Sequence, residues 1–348
     1  MRTRLPVKLL AVTVVVAWAW GRGAPATAQV RTTALRQPGA GGPRIVLNEQ
    51  FRVGSADGAN DAFARVVDVV FDGRGRIVIA DDLNHQLSVF DASGRFLRRV
   101  GRQGAGPGEF QTPWVLAVDR RDSLFVWDAG QGRVSVFDPE YRFVRDFGVR
   151  PQWLVTSLRF LPDGRLLVAA YGRNEPGVLH LVERDGRVVR TYGPSFRSQQ
   201  LGGFEASLLG GSIALGEQTL AYSNKSPYQL EFYDAAGNLR SRCTGDPGWT
   251  TPVTAVVRRT AQAQQLQWNR YVHASRILYV GGGRFLNVVV DPVANRRTLD
   301  LVTSDCRLLR RTVLPVPLTP TDRSGSRLVA VQNLEYPQVI VYDMRITP

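Results

Sequence analysis

Residues Val67–Gly101 read VDVVFDGRGRIVIADDLNHQLSVFDASGRFLRRVG, and residues Leu116–Gly148 read LAVDRRDSLFVWDAGQGRVSVFDPEYRFVRDFG. Phe90 and Phe137 hold the same place in each stretch, so the period is 137 − 90 = 47 residues. Each copy breaks into four short runs of alternating apolar and polar residues, parted by turns such as Asp72-Gly73-Arg74-Gly75 and Asp91-Ala92-Ser93-Gly94. Asp and Gly tolerate the backbone angles that tight hairpins need. A period of about 40–50 residues with four strands per unit is the sequence mark of a β-propeller blade.

Strands are lettered a to d from the axis outward. The first unit reads as a at Val66–Phe71, b at Ile77–Ala80, c at Leu87–Phe90 and d at Phe96–Val100. The second runs from Trp114 to Phe147, and the third starts near Trp153 with its a–b turn at Leu161–Gly164. The fourth carries Leu220–Ser223 and Leu230–Tyr233, and the fifth Arg276–Val280, Phe285–Val290 and Thr298–Thr303. The sixth holds Leu328–Val331 and Val339–Tyr342 and lacks a strand d. That strand is found at the other end. Ile45–Val53 followed by GSADGANDAF matches Phe96–Val100 followed by GRQGAGPGEF. The expected fold is therefore an all-β, six-bladed propeller over residues 44–348, closed by pairing the N-terminal strand with the last blade. Closure removes the exposed edge that a β-sandwich pair or an open solenoid would keep.

The start of the chain is read as a signal peptide. Arg2, Arg4 and Lys8 precede the apolar run Leu9–Trp20, and Ala26-Thr27-Ala28 is an A-x-A-like cleavage site. Residues 29–43, rich in Gly, Pro, Thr and Arg, read as a flexible lead-in. After cleavage no window is long and apolar enough to span a membrane, and the expected location is periplasmic or secreted. The formal charge is +14; loss of Arg2, Arg4, Lys8 and Arg22 leaves 40 basic against 30 acidic residues. The basic residues are nearly all Arg and are scattered along the chain, which suits a solvated surface better than a nucleic-acid footprint. Cys243 and Cys306 are the two cysteines, and an exported chain permits them to pair.

Gly101–Asp119 and Ile77–Leu97 resemble NHL repeats. Their shared marks are a Gly-rich d–a loop, a Pro before strand a, an Ala-Asp after strand b and the Asn84-His85 pair before strand c. In the second unit Asn-His has become Gly130-Gln131-Gly132, while Trp127-Asp128 keeps the Asp. The resemblance is strong over residues 65–150 and implies a six-bladed, NHL-like propeller of the exported bacterial type.

Propeller sites favour the channel face that bears the d–a and b–c loops, because several blades build a concave surface there. The candidate ligand-binding residues on that face are Asp82, His85, Trp114, Asp128, Arg133, Trp153 and Trp268. Asp81, Asp82 and Asp128 follow strand b and offer oxygens to a hard cation such as Ca²⁺, or else cap their own turns. Ala170, Ser223 and Gln332 stand at the corresponding places later on, so no ring of carboxylates is expected. His85, His180 and His273 do not share a repeat position, which argues against a zinc site. Trp114, Trp127 and Trp153 fall near the channel mouth and suit a sugar, an aromatic group or a peptide, or else fill the wedges between blades. There is no G-x-S-x-G elbow, P-loop or dinucleotide fingerprint. Thr254–Val272, with Val257, Ala261, Gln264, Trp268 and Tyr271 on one helical face, reads as a small helical insertion between blades 4 and 5. Pro194–Gly211 is a second long loop on that side.

The reading that follows is a monomeric, non-catalytic binding module for a peptide, glycan or partner protein, without cofactor or nucleic acid. The alternative is a lactonase- or lyase-type enzyme with a cation such as Ca²⁺ in the channel. N-terminal sequencing of exported protein should give a chain starting at Gln29; a start at Met1 would overturn the leader.

Overall fold

The computed structural model describes residues 12–13, 30–36, 38, 41–58, 60–150, 153–172, 175–193, 210–225, 228–245, 254–259, 264–268, 273–291 and 294–348. Six antiparallel sheets stand around an axis, each ordered a-b-c-d. Blade 1 is Val66–Phe71, Ile77–Asp81, Gln86–Phe90 and Phe96–Val100. Blade 2 is Pro113–Val118, Leu124–Asp128, Arg133–Phe137 and Phe143–Gly148. Blade 3 is Leu154–Phe160, Leu166–Tyr171, Leu179–Val182 and Val188–Tyr192. Blade 4 is Ser212–Leu215, Thr219–Asn224, Gln229–Asp234 and Leu239–Thr244. Blade 5 is His273–Gly281, Arg284–Asp291, Arg296–Thr303 and Leu308–Val313. Blade 6 takes Leu318–Ser324, Arg327–Asn333 and Pro337–Thr347 from the C-terminus and Arg44–Val53 from the N-terminus. The closing pair runs antiparallel from Val339↔Val53 to Thr347↔Arg44, with one bulge at Gln50.

Strands b and c are apolar on both faces because each blade is sandwiched between two others. The core accordingly divides into six wedges, one per interface. The wedge between blades 1 and 2, for example, holds Val78, Leu87, Val89, Phe110, Leu124 and Phe137. That between blades 6 and 1 holds Val53, Phe63, Ile77, Phe90, Val329 and Val341. Phe63 and Phe110, which end the two matched d–a loops, are both buried.

Two expectations meet different facts. Among the described residues there is no helix, so the helical insertion is overturned. Thr254–Arg259 and Gln264–Trp268 are strands, paired from Ala255↔Trp268 to Arg259↔Gln264. The supposed apolar stripe contained Gln264, and the β-branched Thr254, Val256 and Val257 favour extended backbone. Val12 and Thr13, inside the expected leader, pair with Ala255 and Thr254 at this hairpin's edge. The rest of the insertion, most of the leader, and 194–209 of the second long loop lie outside the described residues. Within the expected lead-in, Arg31–Ala34 run parallel to Leu239–Thr244 as a fifth strand of blade 4. Leu35 then donates its N–H to the Thr244 carbonyl at 2.8 Å and enters the wedge between blades 4 and 5 at 1% exposure.

The c–d turns explain how neighbouring blades lock. Their fourth residue has positive φ in five blades: Gly94, Tyr141, Gly186, Gly237 and Cys306. At each of these places the side chain, or a Cβ built on the glycine, is directed at the preceding blade. A Cβ on Gly94 would meet the Phe51 ring at 2.6 Å, and one on Gly186 would meet the Gly148 carbonyl oxygen at 2.4 Å. The two side chains that do occur there bond to the preceding blade. Tyr141 donates its hydroxyl to Asp72 at 2.7 Å, and Cys306 is disulfide-bonded to Cys243 of blade 4. That bond spans 63 residues of sequence, a loop whose closure is worth about 4 kcal/mol in chain-entropy terms.

Arginine performs the same task on the outside. Arg98, Arg145 and Arg190, at one repeat position in strand d, donate to the Glu140, Arg184 and Ala236 carbonyls in the next blade's c–d turn. Arg327 reaches from blade 6 to the Gly75 and Ala92 carbonyls of blade 1. A guanidinium has several fixed donors and suits such bridging better than an ammonium.

Gly186→Ala and Gly237→Ala separate clash from backbone strain. A Cβ at Gly237 meets nothing closer than 3.5 Å, so that change should cost about 1 kcal/mol for φ alone. Gly186→Ala should cost about 1–3 kcal/mol more, because backbone stands in the way. Urea unfolding of the two variants measures the difference; equal losses would contradict the interlock.

Candidate functional site

The channel mouth is shaped by a bulge. In blades 1, 2, 3, 5 and 6 the a–b register shifts at or before the middle of strand a, leaving Val67, Trp114, Thr156, Ser275 and Thr321 as the extra residues. Bulges re-aim side chains beside binding sites. Trp114 is the large aromatic among the five and is 36% exposed. The Arg65 guanidinium lies 5.9 Å from its ring centroid, and Arg65 is itself held by Asp82. Leu154, at the start of strand a in blade 3, is also exposed, as are Leu83 and Leu334 in the b–c loops of blades 1 and 6. By topology these four apolar residues share the face that carries the d–a and b–c loops, on the consecutive blades 6, 1, 2 and 3.

The other sequence-nominated residues are spent on structure. Asp128 is fully buried and receives the backbone N–H groups of Gln111, Thr112, Gly130 and Gln131, together with the Gln131 side-chain amide. Asp81 does the same in blade 1 for Ala64 and Arg65 and receives the Asn84 amide. Asp82 holds Arg65. A Ca²⁺ ion needs six to eight oxygens, and these carboxylates already receive N–H donors, so they do not fit one. His85, with φ +53°, has Nδ1 2.6 Å from the Gln111 carbonyl oxygen, so that nitrogen carries the proton and ties blade 1 to the next d–a loop. Arg133 pairs with Asp146 at 2.9 Å and donates to the Ala105 and Gly106 carbonyls of the Gly-rich loop. The Trp268 side chain lies outside the described residues. Among the described residues no group of three His, Cys, Asp or Glu is placed to hold a metal ion.

Trp153 is buried rather than presented. Its Nε1–H donates to Glu175 Oε1 at 3.0 Å, and the same oxygen receives Arg150 at 2.9 Å. The His180 ring stacks on the indole with centroids 3.9 Å apart. His180 Nε2 faces the Ala170 carbonyl at 3.2 Å and Nδ1 faces the Thr191 hydroxyl at 2.9 Å. The carbonyl can only accept, so Nε2 carries the proton; burial favours the neutral ring, which leaves Nδ1 to accept from the Thr191 hydroxyl. Sequence reasoning missed Arg65, Leu83, Leu154, Leu334 and Glu175. The exposed leucines carried a signal, since turn positions are ordinarily polar.

A family model described as a 6-bladed beta-propeller matches residues 62–150. NHL repeat-containing protein 3 of Homo sapiens is 29% identical over 122 residues, covering 31% of this chain and 33% of that protein. The Mus musculus protein of that name is 28% identical over 122 residues. The chain thus spans about a third of the length of the curated relatives it matches. Among solved structures, a member of the DUF4221 family from Bacteroides vulgatus aligns with a TM-score of 0.61 at 10% identity, over 87% of this chain and 98% of that one. Virginiamycin B lyase from Staphylococcus aureus aligns at 0.52 and 10% identity, over 86% and 99%. At such identities the likeness is one of fold. The chain is a six-bladed propeller, similar over about a third of its length to NHL repeat-containing proteins.

Burial pushes the His180 pKa below its ordinary value. Below about pH 6.5 the unfolded chain therefore binds a proton that the folded chain refuses. The stability that the neutral ring supplies is complete above that range and drains away as pH falls toward the depressed folded value. The urea midpoint should drop between pH 7.5 and pH 5, and His180→Gln should flatten that drop. Parallel pH profiles would remove His180 as the cause.

Proposed function

We propose that this chain is an exported binding module that takes an apolar peptide segment of a partner protein on its loop face. The observation that carries the reading is Trp114, one-third exposed near the start of strand a with Arg65 against it, and exposed Leu83, Leu154 and Leu334 on the same loop face. Lone exposed apolar residues are ordinary, whereas several on one face of a closed ring favour a contact surface. The leucines favour a peptide over a glycan, because sugars want hydroxyl-matching polar groups around a stacked ring, and the local Asp and Arg side chains are already engaged. Export is supported by the leader-like start and by the Cys243–Cys306 bond, which belongs in an oxidising compartment. The lyase-type alternative rests on shared fold alone, and fold does not imply function.

A displayed library of random peptides should enrich sequences with spaced apolar residues. Trp114→Ala should weaken the enriched peptides by about thirtyfold, the ~2 kcal/mol of a Trp hot spot. The buried Trp153 provides the contrast: Trp153→Phe should leave affinity within about twofold. Equal binding by Trp114→Ala, or enrichment on a glycan array with none among peptides, would defeat the reading.

A further inference from the structure

Deep in the channel, below the Trp114 rim, four charged side chains project from the innermost strands. They are Asp68 of blade 1, Arg159 of blade 3, Arg276 of blade 5 and Asp322 of blade 6. Two of them satisfy each other. Arg276 reaches past blade 6 to Asp68 at 2.8 Å, and Asp68 also receives the Leu116 N–H of blade 2 at 2.9 Å and its neighbour Val69 N–H at 3.0 Å. The other two stand on the opposite blades 3 and 6 and make no ion pair with each other. Arg159 donates to the adjacent Leu158 carbonyl at 2.8 Å, one contact for a group with five N–H donors. Asp322 receives the Phe71 N–H of blade 1 at 2.8 Å and lies in the field of Arg159. Both keep some accessible surface although protein surrounds them, as side chains lining a narrow lumen do.

Unpaired charges in a low-dielectric channel are expensive. Burial pushes the Arg159 guanidinium below its ordinary range and the Asp322 carboxyl above its own. A direct pair would relieve both, and none is formed. Elsewhere in this protein carboxylate and guanidinium meet directly, as in Asp300–Arg311 and Glu231–Arg242. Arg159 and Asp322, on the innermost strands, do not.

We infer that the channel between Arg159 and Asp322 is a site for a small zwitterion, a free α-amino acid or a molecule with the same paired groups. The planar guanidinium takes the carboxylate in its fork, and the Asp322 carboxylate takes the ammonium. A simple anion would leave Asp322 repelling it; a simple cation would leave Arg159 doing so. Ser157 and Ser212, on strands a of blades 3 and 4, are small, polar and buried. Ser157 and Ser212 accept the next blade's Ile213 and Ile277 N–H groups at 3.3 and 3.2 Å. The site does not depend on the peptide-binding reading, because it lies on different residues.

The test uses the whole folded chain with glycine and L-alanine as probes and acetate and methylammonium as half-ligands, read by calorimetry and thermal unfolding. At least one amino acid should stabilise saturably, and each half-ligand should bind at least tenfold more weakly. Arg159→Gln and Asp322→Asn should each weaken the amino acid at least tenfold. Should Arg159→Gln fail to fold, Arg159→Lys keeps the charge and loses the fork, and should still weaken binding. No saturable effect of either amino acid overturns the proposal, as that is the result expected where water fills the gap. Equal binding of acetate, or full binding by Asp322→Asn, overturns it as well.

Discussion

The pairing of Arg44–Val53 with Pro337–Thr347 is the constraint on which every other feature rests. Bringing together segments almost 300 residues apart costs loop-closure entropy, but that cost grows only with the logarithm of length. In return the sixth wedge of core closes over Val53, Phe63, Val329 and Val341, and no blade edge faces an open gap. A ring has a channel only when it is closed. The juxtaposition of Arg159 with Asp322, and of Arg276 with Asp68, is a consequence of that one antiparallel ladder and not of any local motif.

Within the ring, neighbouring blades are fastened by a position that geometry almost reserves for glycine. The fourth residue of the c–d turn needs positive φ, and its Cβ is aimed at the blade before. Glycine meets both demands by having no side chain. Tyr141 and Cys306 meet them by bonding to what they strike, Asp72 and Cys243 respectively. The disulfide is then one of two ways to convert a steric conflict into a tether. Leu35, seated beside Cys243 in the same wedge, brings the N-terminal segment to that interface too.

Much of the fold was legible because period-two alternation and turn chemistry repeat. Blade 1 is placed to within a residue, and the matched loops after Val53 and Val100 disclosed the closure. The helical reading of Thr254–Val272 failed because the 3.6-residue stripe was completed with glutamine, while β-branched residues at its start were discounted. The strand at Arg31–Ala34 left no signal of its own; it is a backbone pairing that the edge of blade 4 supplies, and composition pointed the other way. At the site the reading was uneven. Trp114 was nominated from its place at the start of an innermost strand. Asp82, Asp128, His85 and Arg133 were nominated from their places at the b–c loops, and they hold loops together, because a repeat motif marks what every blade needs.

That distinction bears on where activity is to be sought in a protein built from repeats. A residue shared by several blades answers a demand that several blades make, such as closing a b–c loop or satisfying a d–a loop's N–H groups. Asp81 and Asp128 are of this kind, and their oxygens are used up. A residue that departs from its repeat position answers a demand made once. Trp114 stands where blade 1 has Val67, and Arg276 stands where blade 1 has Asp68 and blade 3 has Ser157. Such departures cost burial of charge or exposure of aromatic surface, and they fall at the mouth and on the axis, where one residue can be seen by all six blades. The sequence signal was present as charged residues inside SLRF, SRIL and TPTDRS, innermost strands that ought to be apolar or small. It was passed over because the weight was given to resemblance between units, when the difference between them was the more informative quantity.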